Sequence, residues 1–140
     1  PHQSSAASDV YKRQALVHTI GSVDGPRDPQ AWITTFIFPS GYTPSFSELM
    51  PAIENSKLVL GDLEVLPGIH YASTLEEWKK RFIKNKDIVL KNYSEKFYRL
   101  WLFYLSSCEY AFRWTDQCNF QILLDKDINI SKRSRHFMYS

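Results

Sequence analysis

Residues 15–20, ALVHTI, followed by GSVDGPRDP at residues 21–29, decide how this chain is read. The first segment is short and apolar, and Gly21 closes it before a loop rich in Gly, Pro and Asp, which predicts a buried strand. Residues 31–38 are apolar and aromatic but run into Pro39, Gly41 and Pro44, so they make at most a short helix. Ser45 and Glu48 have capping-box spacing, and Phe46, Leu49, Ala52 and Ile53 recur at helical intervals as far as Ser56. Pro51 should kink that helix unless it falls near the first turn. Residues 57–66, KLVLGDLEVL, read as a strand bulged at Gly61 and Asp62.

From Thr74 the period becomes helical. Leu75, Trp78, Phe82 and Val89 share one side, with Lys79, Lys80, Lys84 and Lys86 on the other. A second long helix starts near Ser94 and aligns Phe97, Trp101, Tyr104, Leu105, Cys108, Ala111 and Phe112. Residues 119–124, NFQILL, alternate as a closing strand. Strand, helix, strand, two helices and strand predict an open α/β sheet, with the late helices covering it or forming a lid.

The 140 residues are 44% hydrophobic and 23% charged, with five glycines and two cysteines, which suits one globular unit and excludes collagen-like and disulfide-scaffold classes. A net charge of +2 is too balanced to hold nucleic acid by charge alone. The longest apolar run, residues 100–105, falls far short of the roughly 18 residues of a membrane span. Residues 1–14 carry two bulky side chains, Val10 and Tyr11, in no regular period, and are expected to be a disordered leader. Their last six residues, DVYKRQ, are what the codons GAT GTG TAT AAG AGA CAG encode. That string resembles a transposon-end sequencing adapter, so the leader is read as foreign and residues 15–140 as the domain piece, with net charge +1. A domain that opens on a buried strand leaves backbone groups unpaired, which predicts that an N-terminal half is missing. The basic cluster Lys132, Arg133, Arg135 and His136 is read as a solvated tail.

His18 is expected at the C-terminal end of the first strand, where open α/β sheets place their ligands. His70 and Tyr71 follow the second strand and reach the same edge if the two strands are parallel, which would let the Tyr71 hydroxyl meet His18 across a pocket. Backbone satisfaction of His18 and plain packing of Tyr71 are the competing readings. Cys108 and Cys118 lack metal-ligand spacing and read as buried free thiols. The sequence holds no GxSxG turn, Walker loop or GxGxxG fingerprint, so nucleotide-type phosphate or ribose contacts are not expected from these residues.

The ordered blocks HTIG (18–21), FIFPSGYTPS (36–45), LMPAIE (49–54), HYASTLEEW (70–78), YSEKFYRLWLFYLSSCEYAFR (93–113) and FQILL (120–124) resemble the C-terminal part of cyclopropane-fatty-acyl-phospholipid synthases and mycolic acid cyclopropane synthases. The resemblance implies the C-terminal half of a Rossmann-like sheet of a class I S-adenosylmethionine-dependent methyltransferase: fifth strand, helix, sixth strand, helical insertion, seventh strand. It implies methyl transfer to the cis double bond of an unsaturated phospholipid acyl chain, with proton loss closing a cyclopropane, in a cytoplasmic protein peripheral to the inner membrane face. Bicarbonate is the implied base, held by His18, the Ile20 backbone amide and Tyr71, together with a glutamate and a cysteine upstream; Cys108 does not match that cysteine. S-adenosylmethionine would be bound by the missing half, leaving this piece inactive alone, and no metal is implied. The rings of residues 97–112, with Trp32, Phe36 and Phe38, would line an acyl tunnel or simply pack a core.

Two other readings remain. One is a different methyltransferase on the same scaffold. The other is a non-catalytic lipid-surface module using the lysine face of residues 74–91 and the basic tail.

Overall fold

The computed structural model describes residues 7–9, 14–130 and 134. Its elements are β1 (Ala7–Asp9), β2 (Gln14–Ser22), α1 (Ala31–Phe36), α2 (Phe46–Asn55), β3 (Val59–Leu66), α3 (Gly68–Lys84), α4 (Lys86–Asn92), α5 (Glu95–Trp114) and β4 (Gln117–Asp125). The sheet has the order β1-β2-β4-β3, and β4 is antiparallel to both of its neighbours. It follows that β2 and β3 are parallel and end at the same sheet edge. The architecture is the expected α/β piece, with the helical insertion α3–α5 between β3 and β4.

Alternation along β4 divides the sheet into two faces. Cys118, Phe120, Ile122 and Leu124 point to one face and form a buried cluster with Ile53 of α2. Ala15, Val17, Phe46, Leu49, Met50, Leu58, Leu60 and Leu63 pack around it, so α2 closes this side. Its start is fixed by the expected capping box, in which Ser45 and Glu48 satisfy each other's backbone groups. Pro51 lies inside the helix, sixth from its start, and removes one intrahelical donor. The other face carries Leu16, His18 and Ile20, paired with Leu123, Gln121 and Asn119. A bulge between Leu60 and Asp62 sits at the glycine where it is expected.

The helical layer has its own core. Ala72 and Leu75 of α3 meet Leu105 and Phe112 of α5, flanked by Tyr71, Phe82, Trp101, Tyr104 and Cys108. Ser94 caps α5 by accepting a hydrogen bond from the Phe97 N–H at 3.2 Å. Ion pairs tie the two helices together on their outer side: Lys79 to Glu109, and Arg113 to Glu76 and to Glu109, each at 3.0 Å for the arginine. α1 leans on α5 through Trp32 against Phe103, and Phe38, just beyond α1, packs against Tyr104.

Several boundaries differ from the sequence expectation. β2 does not stop at Gly21: a Cβ there would fall on the Phe120 ring, so this glycine serves close packing inside the strand and ends nothing. α3 begins at Gly68, well before Thr74, because Gly68 fits against the carbonyl oxygens of Phe112 and Gln117 where a Cβ would not. The helix expected to continue through Val89 breaks at Asn85, whose side-chain amide donates to the Arg81 carbonyl at 2.8 Å. Within the supposed leader, Ala7–Asp9 pairs antiparallel with residues 14–16. Backbone pairing to an open strand edge does not need bulky side chains, which the burial argument had assumed. Residues 1–6 and 10–13 and the basic residues Lys132, Arg133, Arg135 and His136 lie outside the described residues.

Candidate functional site

His18 is the fifth of nine residues of β2, in mid-strand and not at its C-terminal end as expected from Gly21. Its ring is exposed on the face that α2 leaves open, and its Nε2 lies 3.5 Å from Asn119 Nδ2, a long contact. Ile20, two residues on, projects from the same face and is 36% exposed. Asn119 forms a rung with Ile20 on one side and Leu66, the last residue of β3, on the other. Its amide is 7% exposed. That hydrogen bond to the imidazole ties the buried amide to His18. Sequence reasoning passed over Asn119. The signal was there, since Asn119 and Gln121 alternate with Phe120 and Ile122 and mark a polar face.

Tyr71 sits at the start of α3, five residues beyond Leu66. Because β2 and β3 are parallel, α3 leaves the sheet at the edge where β2 ends, as the pairing of His18 with Tyr71 requires. The Tyr71 ring is half-buried, edge-on to Phe112 at 4.7 Å and to Trp78 at 6.1 Å between ring centres. Burial, with the Cys108 thiol nearby, raises its pKa, so it is a neutral phenol with a proton to donate at physiological pH. The same causes raise Tyr104, which hydrogen-bonds Cys108. Burial pushes Cys108 up to about 11, so it is a protonated thiol and no nucleophile. Cys108 and Cys118 are free, and Cys118 is buried. Among the described residues no hydrogen bond joins Tyr71 to His18. The structure unites His18, Ile20 and Asn119 on one face and places Tyr71 in the adjoining helical layer.

The end of β2 is fixed by a polar clasp. Ser22 is buried and its hydroxyl donates to the Asp116 carboxylate; Arg27 bridges Asp116 at 3.0 Å and Asp24 at 2.8 Å. The Ser22 and Val23 backbone N–H groups donate to the carbonyls of Pro44 and Asp116, both at 3.0 Å. These contacts hold the loop that follows the candidate strand. Among the described residues, β1 pairs with β2 at residues 14–16 and Ser45 bridges Ser22. Among the described residues no cluster of His, Cys, Asp or Glu is arranged to hold a metal, and no helix is long and apolar enough to cross a membrane.

The family model for mycolic acid cyclopropane synthetase matches residues 7–122. The chain belongs to this family. It is 34% identical over 113 residues to the cyclopropane-fatty-acyl-phospholipid synthase of Escherichia coli (strain K12), a match covering 81% of this chain and 29% of that protein. The sphingolipid C9-methyltransferase of Candida albicans is 39% identical over 66 residues, 47% of this chain and 13% of its own length. Among solved structures, mycolic acid cyclopropane synthase CmaA1 complexed with SAH and CTAB superposes with a TM-score of 0.71 at 25% identity, covering 81% of this chain and 44% of that one. The chain therefore spans less than half the length of these relatives. The match of the family model begins at residue 7, inside the segment read as a leader.

Proposed function

We propose that this chain supplies the C-terminal part of an S-adenosylmethionine-dependent enzyme that converts the cis double bond of an unsaturated phospholipid acyl chain to a cyclopropane. The observation that carries the reading is the open sheet face. Within a family of cyclopropane synthases, His18, Ile20 and Asn119 share one face of the sheet. The Escherichia coli relative is more than twice as long as this chain, which leaves room for further elements around this sheet.

The residues present offer no glycine-rich phosphate loop for S-adenosylmethionine, so the cofactor is proposed to bind outside this chain, and the chain alone to be inactive. Binding of SAH, the demethylated cofactor, by CmaA1 supports the cofactor assignment. The donor set does suit a small anion such as bicarbonate. The Asn119 amide donates to His18 Nε2 at 3.5 Å, which leaves the other ring nitrogen of His18 as the N–H donor, and the neutral Tyr71 phenol is a further donor in the adjoining layer. Bicarbonate so held supplies a base for the proton lost at ring closure. His18, the Ile20 backbone amide and Tyr71 bind and orient it. An anion fixed near developing positive charge, away from water, stabilises that charge far more than bulk solvent does. The unsaturated lipid would be met at the membrane surface, on the cytoplasmic side.

In the full-length protein, His18→Gln and Tyr71→Phe are each expected to lower turnover about 100-fold while changing cofactor affinity less than about twofold. Equal loss of turnover and cofactor affinity would count against an anion site. The similarity to a sphingolipid C9-methyltransferase favours a second reading, methyl transfer without ring closure. Mass spectrometry of fragmented product lipids separates a cyclopropane from a methyl branch.

A further inference from the structure

Basic residues in this chain fall into two groups. On the outer side of α3 and α5 they are spent on carboxylates: Lys79 on Glu109, Lys80 on Glu76 at 2.8 Å and Glu77 at 3.1 Å, and Arg113 on Glu76 and Glu109. Two lysines of the face that would have served a lipid-surface module, Lys79 and Lys80, are therefore already neutralised. Lys96 and Arg99 are different. Both are exposed at the start of α5, and among the described residues neither makes an ion pair.

These two cations line a cavity of about 470 Å³ with Phe36 at the end of α1 and with Glu95 and Leu100 of α5. One carboxylate against two cations leaves the lining positive. Phe36 is 62% exposed and stands directly beside the two cations in this lining, so apolar and cationic surface are contiguous here. Positions 96, 99, 100 and 103 follow one another on one helix face, so the cationic end runs directly into Leu100 and Phe103, the latter 55% exposed and packed edge-on against Trp32. Cations beside exposed rings, with apolar stems between them, are the pattern of a surface that meets lipid at the headgroup and acyl boundary.

We infer that this cavity seats the phosphate of an anionic phospholipid headgroup, with Lys96 and Arg99 on the phosphate and Phe36 and Phe103 dipping into the acyl boundary. The inference rests on the lipid reading above and adds the headgroup contact to it. The occupant is a lipid in a surface, because two exposed aromatic side chains flank the cations and would gain nothing from a free phosphate ion.

The test is sedimentation of the full-length protein with vesicles of saturated phosphatidylglycerol and phosphatidylcholine. Saturated chains hold no double bond, so the assay reads docking without methyl transfer. Each basic side chain near such a surface strengthens partitioning about fivefold, so Lys96→Gln with Arg99→Gln is expected to weaken it about 25-fold. Phe36→Ser should weaken binding in the same direction, while Lys84→Gln with Lys91→Gln, exposed charges outside the cavity lining, should change it less than about threefold. Circular dichroism confirms that the exposed substitutions leave the fold intact. Absence of wild-type binding, no effect of the Lys96 and Arg99 pair, or an equal effect of the control pair overturns the inference. Full competition by inorganic phosphate at constant ionic strength overturns it as well, in favour of a free-phosphate site. If docking fails while full-length protein still modifies detergent-dispersed lipid, the headgroup site falls alone and the proposed reaction stands.

Discussion

The two faces of the sheet are built from the same strands and do opposite work. On one, Phe120 is 1% exposed beneath α2 and the neighbouring side chains are apolar. On the other, one residue away along each strand, Leu16 is 43% exposed, His18 and Gln121 bring hydrogen-bonding groups towards the surface, and Asn119 lies buried beside His18. Folding needs the first face. The second is where the chain has capacity left over, and every candidate for anion binding except Tyr71 stands on it. A strand can hold both because its side chains alternate, so a single apolar run such as ALVHTI carries a packing set and a functional set interleaved.

The largest test of this contrast is mutational. Phe120→Ala should cost about 3–5 kcal/mol of unfolding free energy, since it empties the centre of the closed face. Leu16→Thr, across the same sheet on the open face, should cost less than about 1 kcal/mol. Chemical denaturation of both variants measures the difference. Comparable losses would mean that the two faces are equally committed to the core.

A second experiment sharpens the contrast at the joint between sheet and helices. Gly68 starts α3 against the carbonyl oxygens of Phe112 and Gln117, and these are backbone atoms that cannot swing aside. Gly68→Ala is expected to destabilise by about 1–3 kcal/mol and to shift Tyr71, three residues on, with it. Gly25 has open space where a Cβ would go, so Gly25→Ala should be close to neutral. Thermal melts report the stability difference, and near-ultraviolet circular dichroism reports the ring packing around Tyr71.

The sequence made some of this visible and hid the rest for identifiable reasons. Ser45 with Glu48, Ser94 and the Gly61 bulge were legible because caps and bulges use short-range chemistry that a local reading detects. Gly21 was misread as a strand end and the helix start at Gly68 went unseen, because these glycines admit the Phe120 ring and the Phe112 and Gln117 carbonyls, which are distant in sequence. Pro67 precedes α3 without a side-chain cap, so the helix start left no local mark. His18, Ile20 and Tyr71 stood out through family resemblance. Asn119 was hidden in a strand judged only by its apolar residues, although its amide contacts His18 Nε2 at 3.5 Å.

The smallest expected effect lies where the two faces end together, at the clasp on Ser22. Burial acts to raise the Asp116 carboxyl, but the Ser22 hydroxyl, the backbone and Arg27 outweigh it and hold the group below its ordinary value of 3.8. A carboxyl whose pKa is lower folded than unfolded adds stability above the unfolded value and loses it as the pH falls through the folded one. The Asp116 contribution should therefore be complete at neutral pH and fade below about pH 4. It should stay under about 1 kcal/mol, because Arg27 is half exposed and its pairing is screened by water. Glu48, Glu76 and Glu109 are also held low by their partners and contribute to acid unfolding. They do so equally with and without Asp116, so Asp116→Asn isolates the clasp. The stability gap between the native chain and the variant should be constant from pH 7 to about 5 and close as the pH drops below 4. A gap that persists at pH 3 would show that the clasp works through neutral hydrogen bonds, leaving the charge on Asp116 without a part in holding the end of β2.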